Sequence, residues 1–446
     1  MHKIVLLITI SLFSIDLVAQ NIQKDSTSKF INNFSGGWRN YFMSTTNKGD
    51  LKDFYGLATG GNLNYSQPIK GIITVNLGAF FSVNTNIQDL SIPDPTTGKL
   101  SRYEAGLFDV QDLTKTLIPV LGIANITINK NNNELILGRM NLKSPFINSQ
   151  DGRMIPTFEE GLWYSNSQIK NVKIGSGIFY KIAPRSTSKF FSIGESIGQY
   201  PSGRSITGTP SAYTSNTTSR FIVVSNVLLK PTKNYIVHLW NYYTDNIHNT
   251  TYLRQTFIPT KKPSFSISAE WLHQEKTGDG GNQDLNLAYY QFERSDLAGI
   301  QLKNKGLTLS YNYIFPHGQF VFPREWGREN IFTFQKRERS EGSAANHGIV
   351  ISYRKTLKVK ESVFNTEINV GRQFKPATSS PEKNKYALPS YYQTNLDLFY
   401  SHNKLPGWKA ELLLTYKKSA DNITQPLLLL NKVDLLVTNV IINYTF

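Results

Sequence analysis

The chain has 446 residues, no cysteine, 39% hydrophobic residues and a formal net charge of +16. No disulfide framework or thiolate metal site is possible, and a mean hydropathy of -0.31 is too low for a helical membrane protein. A basic chain inside the cell would suit nucleic acid, but the N-terminus argues against that.

Met1, His2 and Lys3 make a short positive start, Ile4 to Leu12 an apolar core, and Val18-Ala19 a small-residue cut near Gln20. This is the layout of a signal peptide over residues 1–19. An exported basic protein meets anionic solutes or lipopolysaccharide, and no nucleic acid. No other run approaches the roughly 18 apolar residues of a spanning helix. Two options remain: a secreted soluble β protein, such as a glycan-binding one, or a transmembrane barrel. Residues 20–36 are polar and read as a periplasmic lead-in. From Gly37 to Phe446 strand patterns recur, near 37–46, 56–66, 71–83, 117–130, 133–143 and on to 434–446. They number about eighteen, each close to the roughly 9–11 residues that cross a bilayer at a tilt.

Several runs alternate cleanly. Leu307, Leu309, Tyr311 and Tyr313 oppose Thr308, Ser310 and Asn312. In a sandwich the apolar face would be the core; in a membrane barrel it faces lipid. Aromatic residues reach 12%, with 23 Tyr and 26 Phe, a bias that suits strands and interfacial girdles. The last strand places Val440, Ile442, Tyr444 and Phe446 on one side and Asn439, Ile441, Asn443 and Thr445 on the other.

The connections separate the two readings. Short ones, such as 67–70, 130–132, 230–233 and 403–407, alternate with long ones at 84–116, 184–217, 275–295, 316–345, 374–390 and 418–433. Alternation puts every long loop at one end of the sheet, as in outer-membrane barrels. An open edge in lipid would strand backbone N–H and C=O groups, so the sheet must close. At about eighteen strands water fills the middle, and the expected product is a pore narrowed by whichever loops fold inward. Nearly every short turn carries a lysine.

Residues 134–164 contain Gly138-Arg139, Pro145, Asp151-Gly152-Arg153 and Pro156-Thr157-Phe158. With Trp38 to Met43 and Gly60 to Tyr65, this stretch resembles the OprD-type outer-membrane porins. The resemblance implies an eighteen-stranded barrel in the bacterial outer membrane, an inward constriction loop near 143–159 and passive uptake of small hydrophilic solutes. It also implies that some members favour carboxylates or oligosaccharides.

Candidate pore-lining residues follow from charge and alternation. Arg139, Asn141 and Lys143 are read as one lumen-facing side, opposite Met140 and Leu142. Arg39 on the first strand, Arg153 in the loop and Arg354, beside Ser352 on a later strand, add guanidinium groups that could hold an anion. Asp151, Glu159 and Glu160 could form the opposite wall. Beyond His2 the histidines are dispersed; His238 and His402 read as interfacial. No nucleophile–base motif or metal-ligand spacing occurs in a convincing context. The expectation is a channel without cofactor or catalysis, a monomer or loose trimer, in contact with outer-membrane lipid and lipopolysaccharide.

Overall fold

The computed structural model describes residues 33–150 and 153–446. The expected signal peptide, the lead-in up to residue 32 and Asp151 lie outside the described residues.

Eighteen long strands form one antiparallel sheet. In chain order they are β1 (Phe34–Thr46), β2 (Phe54–Ile69), β3 (Ile73–Asn84), β4 (Leu117–Lys130), β5 (Asn133–Met140) and β6 (Phe158–Asn166). Then come β7 (Val172–Ala183), β8 (Ile222–Thr232), β9 (Tyr235–Thr244), β10 (His248–Phe257), β11 (Phe265–Lys276) and β12 (Arg294–Asn304). The last six are β13 (Leu307–Ile314), β14 (Asn346–Val359), β15 (Ser362–Phe374), β16 (Tyr391–His402), β17 (Trp408–Ser419) and β18 (Leu435–Thr445). Each strand pairs with its sequence neighbours, and β1 closes on β18 from Gly37↔Thr445 to Thr46↔Leu436. Closure satisfies the ladder with no free edge. A two-residue strand, Phe191–Ser192, adds to the outer end of β7. The first strand starts at Phe34, paired with Tyr65, so the last three residues expected in the lead-in belong to the barrel.

The outward face is apolar: Leu77, Ile126, Ile300, Leu309, Ile351 and Val370 are exposed. In a soluble protein so much exposed aliphatic surface would be a liability; around a closed barrel it is the lipid belt. At the short-turn end the rings of Trp408 and Tyr444 lie 5.0 Å apart and those of Phe364 and Tyr400 5.1 Å apart, aromatic pairs at headgroup level. Among the described residues no helix is long and apolar enough to cross a membrane.

The long connections all fall at one end and fold back into the barrel mouth. Phe146 of the 141–157 loop packs on the inward-facing rings of Tyr242 and Tyr252, at 5.6 and 5.2 Å, and on Phe322 of the 315–345 loop at 5.3 Å. Tyr41, Met43 and Phe54 of the wall cluster with Leu107, Phe108 and Ile155 of other loops. The outer half of the interior is therefore packed by loop side chains. Open space is left at the short-turn end and along one wall.

Candidate functional site

The register assigns each candidate to a face. Leu137 of β5 is exposed, and its partner Ile126 is exposed too. Arg139 has the same parity, so it points outward. It pairs there with Glu160, Nε to Oε2 at 2.7 Å, and lies 4.3 Å over the Phe190 ring. This corrects the lumen reading of Arg139 and the constriction reading of Glu160. That reading ran the alternation on to Lys143, whereas β5 ends at Met140.

Asn141 and Glu159 hold the base of the loop. The Asn141 amide donates to the Thr157 carbonyl at 2.6 Å. Glu159 is fully buried and accepts from the Leu142 N–H at 2.7 Å, so it forms no open wall. Arg39 does face inward, and its guanidinium donates to the Arg153 carbonyl. Arg153 is itself buried and donates to the Tyr103 carbonyl at 2.6 Å. These two arginines clamp the 141–157 loop between β1 and the 85–116 loop. Arg354 is on the inward face near the short-turn end, ion-paired with Glu367 at 2.5 Å. Of the described candidates, Lys143 alone lines the main cavity.

That cavity, of about 350 Å³, lies between two inward loops and the wall of β9 and β10. Lys143 and Gln150 come from the 141–157 loop, Arg328 and Asn330 from the 315–345 loop. His238 and Trp240 of β9 and Tyr252 and Arg254 of β10 form the wall, paired His238↔Arg254 and Trp240↔Tyr252. His238 thus faces inward, against the interfacial reading; its outward neighbour is Leu239, which is exposed.

The cavity is electropositive. Lys143, Arg254 and Arg328 line it, and no carboxylate does among the described residues. Among the described residues only Arg254 is neutralised: Glu270, buried on β11, accepts from its Nη2 at 3.1 Å. The same nitrogen donates to the Asn330 carbonyl at 2.6 Å. Glu270 also accepts from the Tyr252 hydroxyl at 2.5 Å, the Asn312 amide at 2.7 Å and the Phe332 N–H at 2.7 Å. One carboxylate thereby fixes Arg254 in position and moors the 315–345 loop. The indole N–H of Trp240 and the Nε–H of Arg254 are buried without a partner among the described residues. Both are donors in the lining of the cavity.

The two loops are stitched together. Asn148 exchanges hydrogen bonds with the Arg328 backbone, 3.0 Å to its carbonyl and 3.1 Å from its N–H. Farther along, Lys336 reaches Asp397 and Glu411 on β16 and β17. Arg337 donates to Asn439 on β18 at 2.8 Å. Glu338 sits between Arg102, at 2.8 Å, and Lys417, at 2.7 Å. The 315–345 loop is thus a strut from β11 to β18 that closes one side of the lumen and leaves the β9–β10 side open. Sequence reasoning missed this loop. Its signal was the run of alternating charges from Arg324 to Glu341 interleaved with Trp326, Phe332 and Phe334.

Comparison with known proteins agrees with this geometry. A family profile described as outer membrane porin, OprD family, matches residues 121–348. A search of curated protein sequences finds no match. Among solved structures, Acinetobacter baumannii OccAB3 is similar at 13% identity and a TM-score of 0.69, over 93% of this chain and 98% of that one. Pseudomonas aeruginosa OccK9 (OpdG) is similar at 13% identity and a TM-score of 0.67, over 94% and 99%. Pseudomonas aeruginosa OpdK, solved with vanillate, is similar at 12% identity and a TM-score of 0.65, over 93% and 98%. The matched profile and the closed eighteen-stranded barrel establish that this chain belongs to the OprD family of outer-membrane porins and is a diffusion channel for small hydrophilic solutes.

Proposed function

We propose that the channel favours small anions, carboxylates foremost, and that the cavity against β9 and β10 is where it selects them. The observation that carries this reading is the charge of that cavity: three cations in its lining, two of them without a counter-ion among the described residues. Guanidinium and ammonium groups on a narrow wall attract anions from bulk water and pass them on, provided that binding stays weak. Lys303, inward on β12, continues the positive wall toward the short-turn end, whereas Arg354 on β14 is paired with Glu367. The buried Trp240 and Tyr252 make the cavity wall aromatic, which suits a ring-bearing solute. Vanillate, the ligand solved with OpdK, is a carboxylate of that shape.

The protein acts as a channel and not as a catalyst, and one protomer suffices, since a single chain closes the barrel and builds the cavity. Lipopolysaccharide is the proposed neighbour at the outer rim. Arg372, outward on β15 and stacked on Phe374 and Tyr392 at 4.3 and 4.8 Å, is suited to its phosphates.

Swelling of proteoliposomes in isosmotic benzoate, benzylamine and benzyl alcohol tests the reading. Benzoate should enter fastest, and Lys143→Glu with Arg328→Glu should reverse that order. Equal rates for all three solutes in the wild type would refute it.

A further inference from the structure

The lysines of the short turns remain outside the channel mechanism. We propose that they form a collar that holds the anionic phosphate headgroups of inner-leaflet phospholipids around the periplasmic rim.

Eight short turns close the periplasmic end of the barrel, and each carries lysine in or next to it. Lys70, Lys130, Lys170, Lys233, Lys305 and Lys404 stand in six of them, and 258–264 and 360–361 carry lysines as well. Every one of these side chains is exposed. None makes an ion pair among the described residues, whereas lysines of the outer loops do, as in Lys48–Asp434 and Lys115–Asp109. Glu361 is the single carboxylate in the eight turns, and none contains arginine. A collar that bonded a protein partner through fixed carboxylates would gain from the planar fork of arginine; a flexible ammonium suits mobile phosphate headgroups.

A second feature selects lipid over a soluble partner. Large apolar side chains are exposed beside the lysines: Ile72 at 44%, Ile169 at 63%, Val359 at 58% and Leu405 at 52%. They follow or flank Lys70, Lys170, Lys360 and Lys404 in sequence. Each such turn is a small amphipathic unit at the level where acyl chains meet headgroups. Its apolar side chain enters the lipid and its lysine stem carries the ammonium to the phosphate layer. Clustered cations beside a bilayer attract anionic lipid, and the attraction decays within a Debye length.

Native mass spectrometry of the full mature chain, titrated with dioleoyl phosphatidylglycerol or dioleoyl phosphatidylcholine, tests the collar. Wild-type protein should bind phosphatidylglycerol at least about threefold better than phosphatidylcholine. The variant K70Q/K130Q/K170Q/K233Q/K261Q/K262Q/K305Q/K360Q/K404Q should bind both equally, and lysine→arginine changes at the same nine positions should keep the preference. The proposal is overturned if the wild type shows no preference or if the glutamine variant retains it. Loss in both variants, or displacement of the lipid by an equal concentration of inorganic phosphate, also overturns it. A glutamine variant that keeps its lipid preference but shifts the channel reversal potential would make the collar a funnel for permeating ions instead.

Discussion

At the scale of residues, a few buried charges set the shape of the open space. Glu270 collects four donors from β10, β13 and the 315–345 loop. Removing one partner of a buried charge network leaves the others desolvated and unpaired, a cost of about 3–5 kcal/mol. Glu270→Ala should therefore lower the temperature at which the folded band converts on a heat-modifiable gel, and should release Arg254 into the cavity. A variant that melts like the wild type would show that the mooring is unimportant.

Glu338 allows a test with pH. Burial opposes its ionisation, yet Arg102 and Lys417 hold its carboxyl well below the ordinary carboxylate range. A depressed folded-state value gives stability that is complete above the unfolded value of about 4.3 and fades as pH falls through the folded value. Buried Glu329 and Glu325 work in the opposite sense, because burial raises them; they are common to wild type and variant. The stability lost in Glu338→Gln should be full at pH 7, still large at pH 5 and smaller toward pH 3. A difference that stays constant to pH 3 would contradict the ion-pair account.

At the scale of elements, the 141–157 and 315–345 loops function as one body. A Cβ on Gly327 would stand 2.2 Å from the Phe146 carbonyl oxygen and 2.8 Å from the Asn148 nitrogen, so only glycine permits this approach. Gly327→Ala should part the loops and widen the passage, seen as larger and noisier single-channel currents. Currents identical to the wild type would mean that the loop contact does not limit flow. The loops also explain where sequence reasoning stopped. Strands could be read because alternation has a period of two and because short and long connections alternate, and both properties are local. Inward folding of a loop is not local. The alternating charges of 324–341 look like a solvated face until Glu270, Asp397, Glu411, Asn439 and Lys417 on distant strands are brought opposite them.

At the scale of the whole molecule, polarity alone does not tell lumen from outside at the outer rim. There the barrel meets headgroups, and charged residues such as Arg139 and Glu160 can face outward. Away from the outer rim the rule holds, and Ser352 and Arg354 lie inward, alternating with exposed Ile351 and Tyr353. The expected barrel was therefore legible; of the candidate residues, Lys143 lines the cavity and Arg354 faces inward, paired with Glu367. The cavity wall itself was not: His238, Trp240 and Arg254 become neighbours through register between β9 and β10. The central claim is that this chain encloses a water-filled path whose selective stretch is positive. The most direct measurement is the reversal potential of purified protein in a planar bilayer under a tenfold potassium chloride gradient. The account predicts a potential of the sign for chloride preference; a potential of the sign for potassium preference would contradict it.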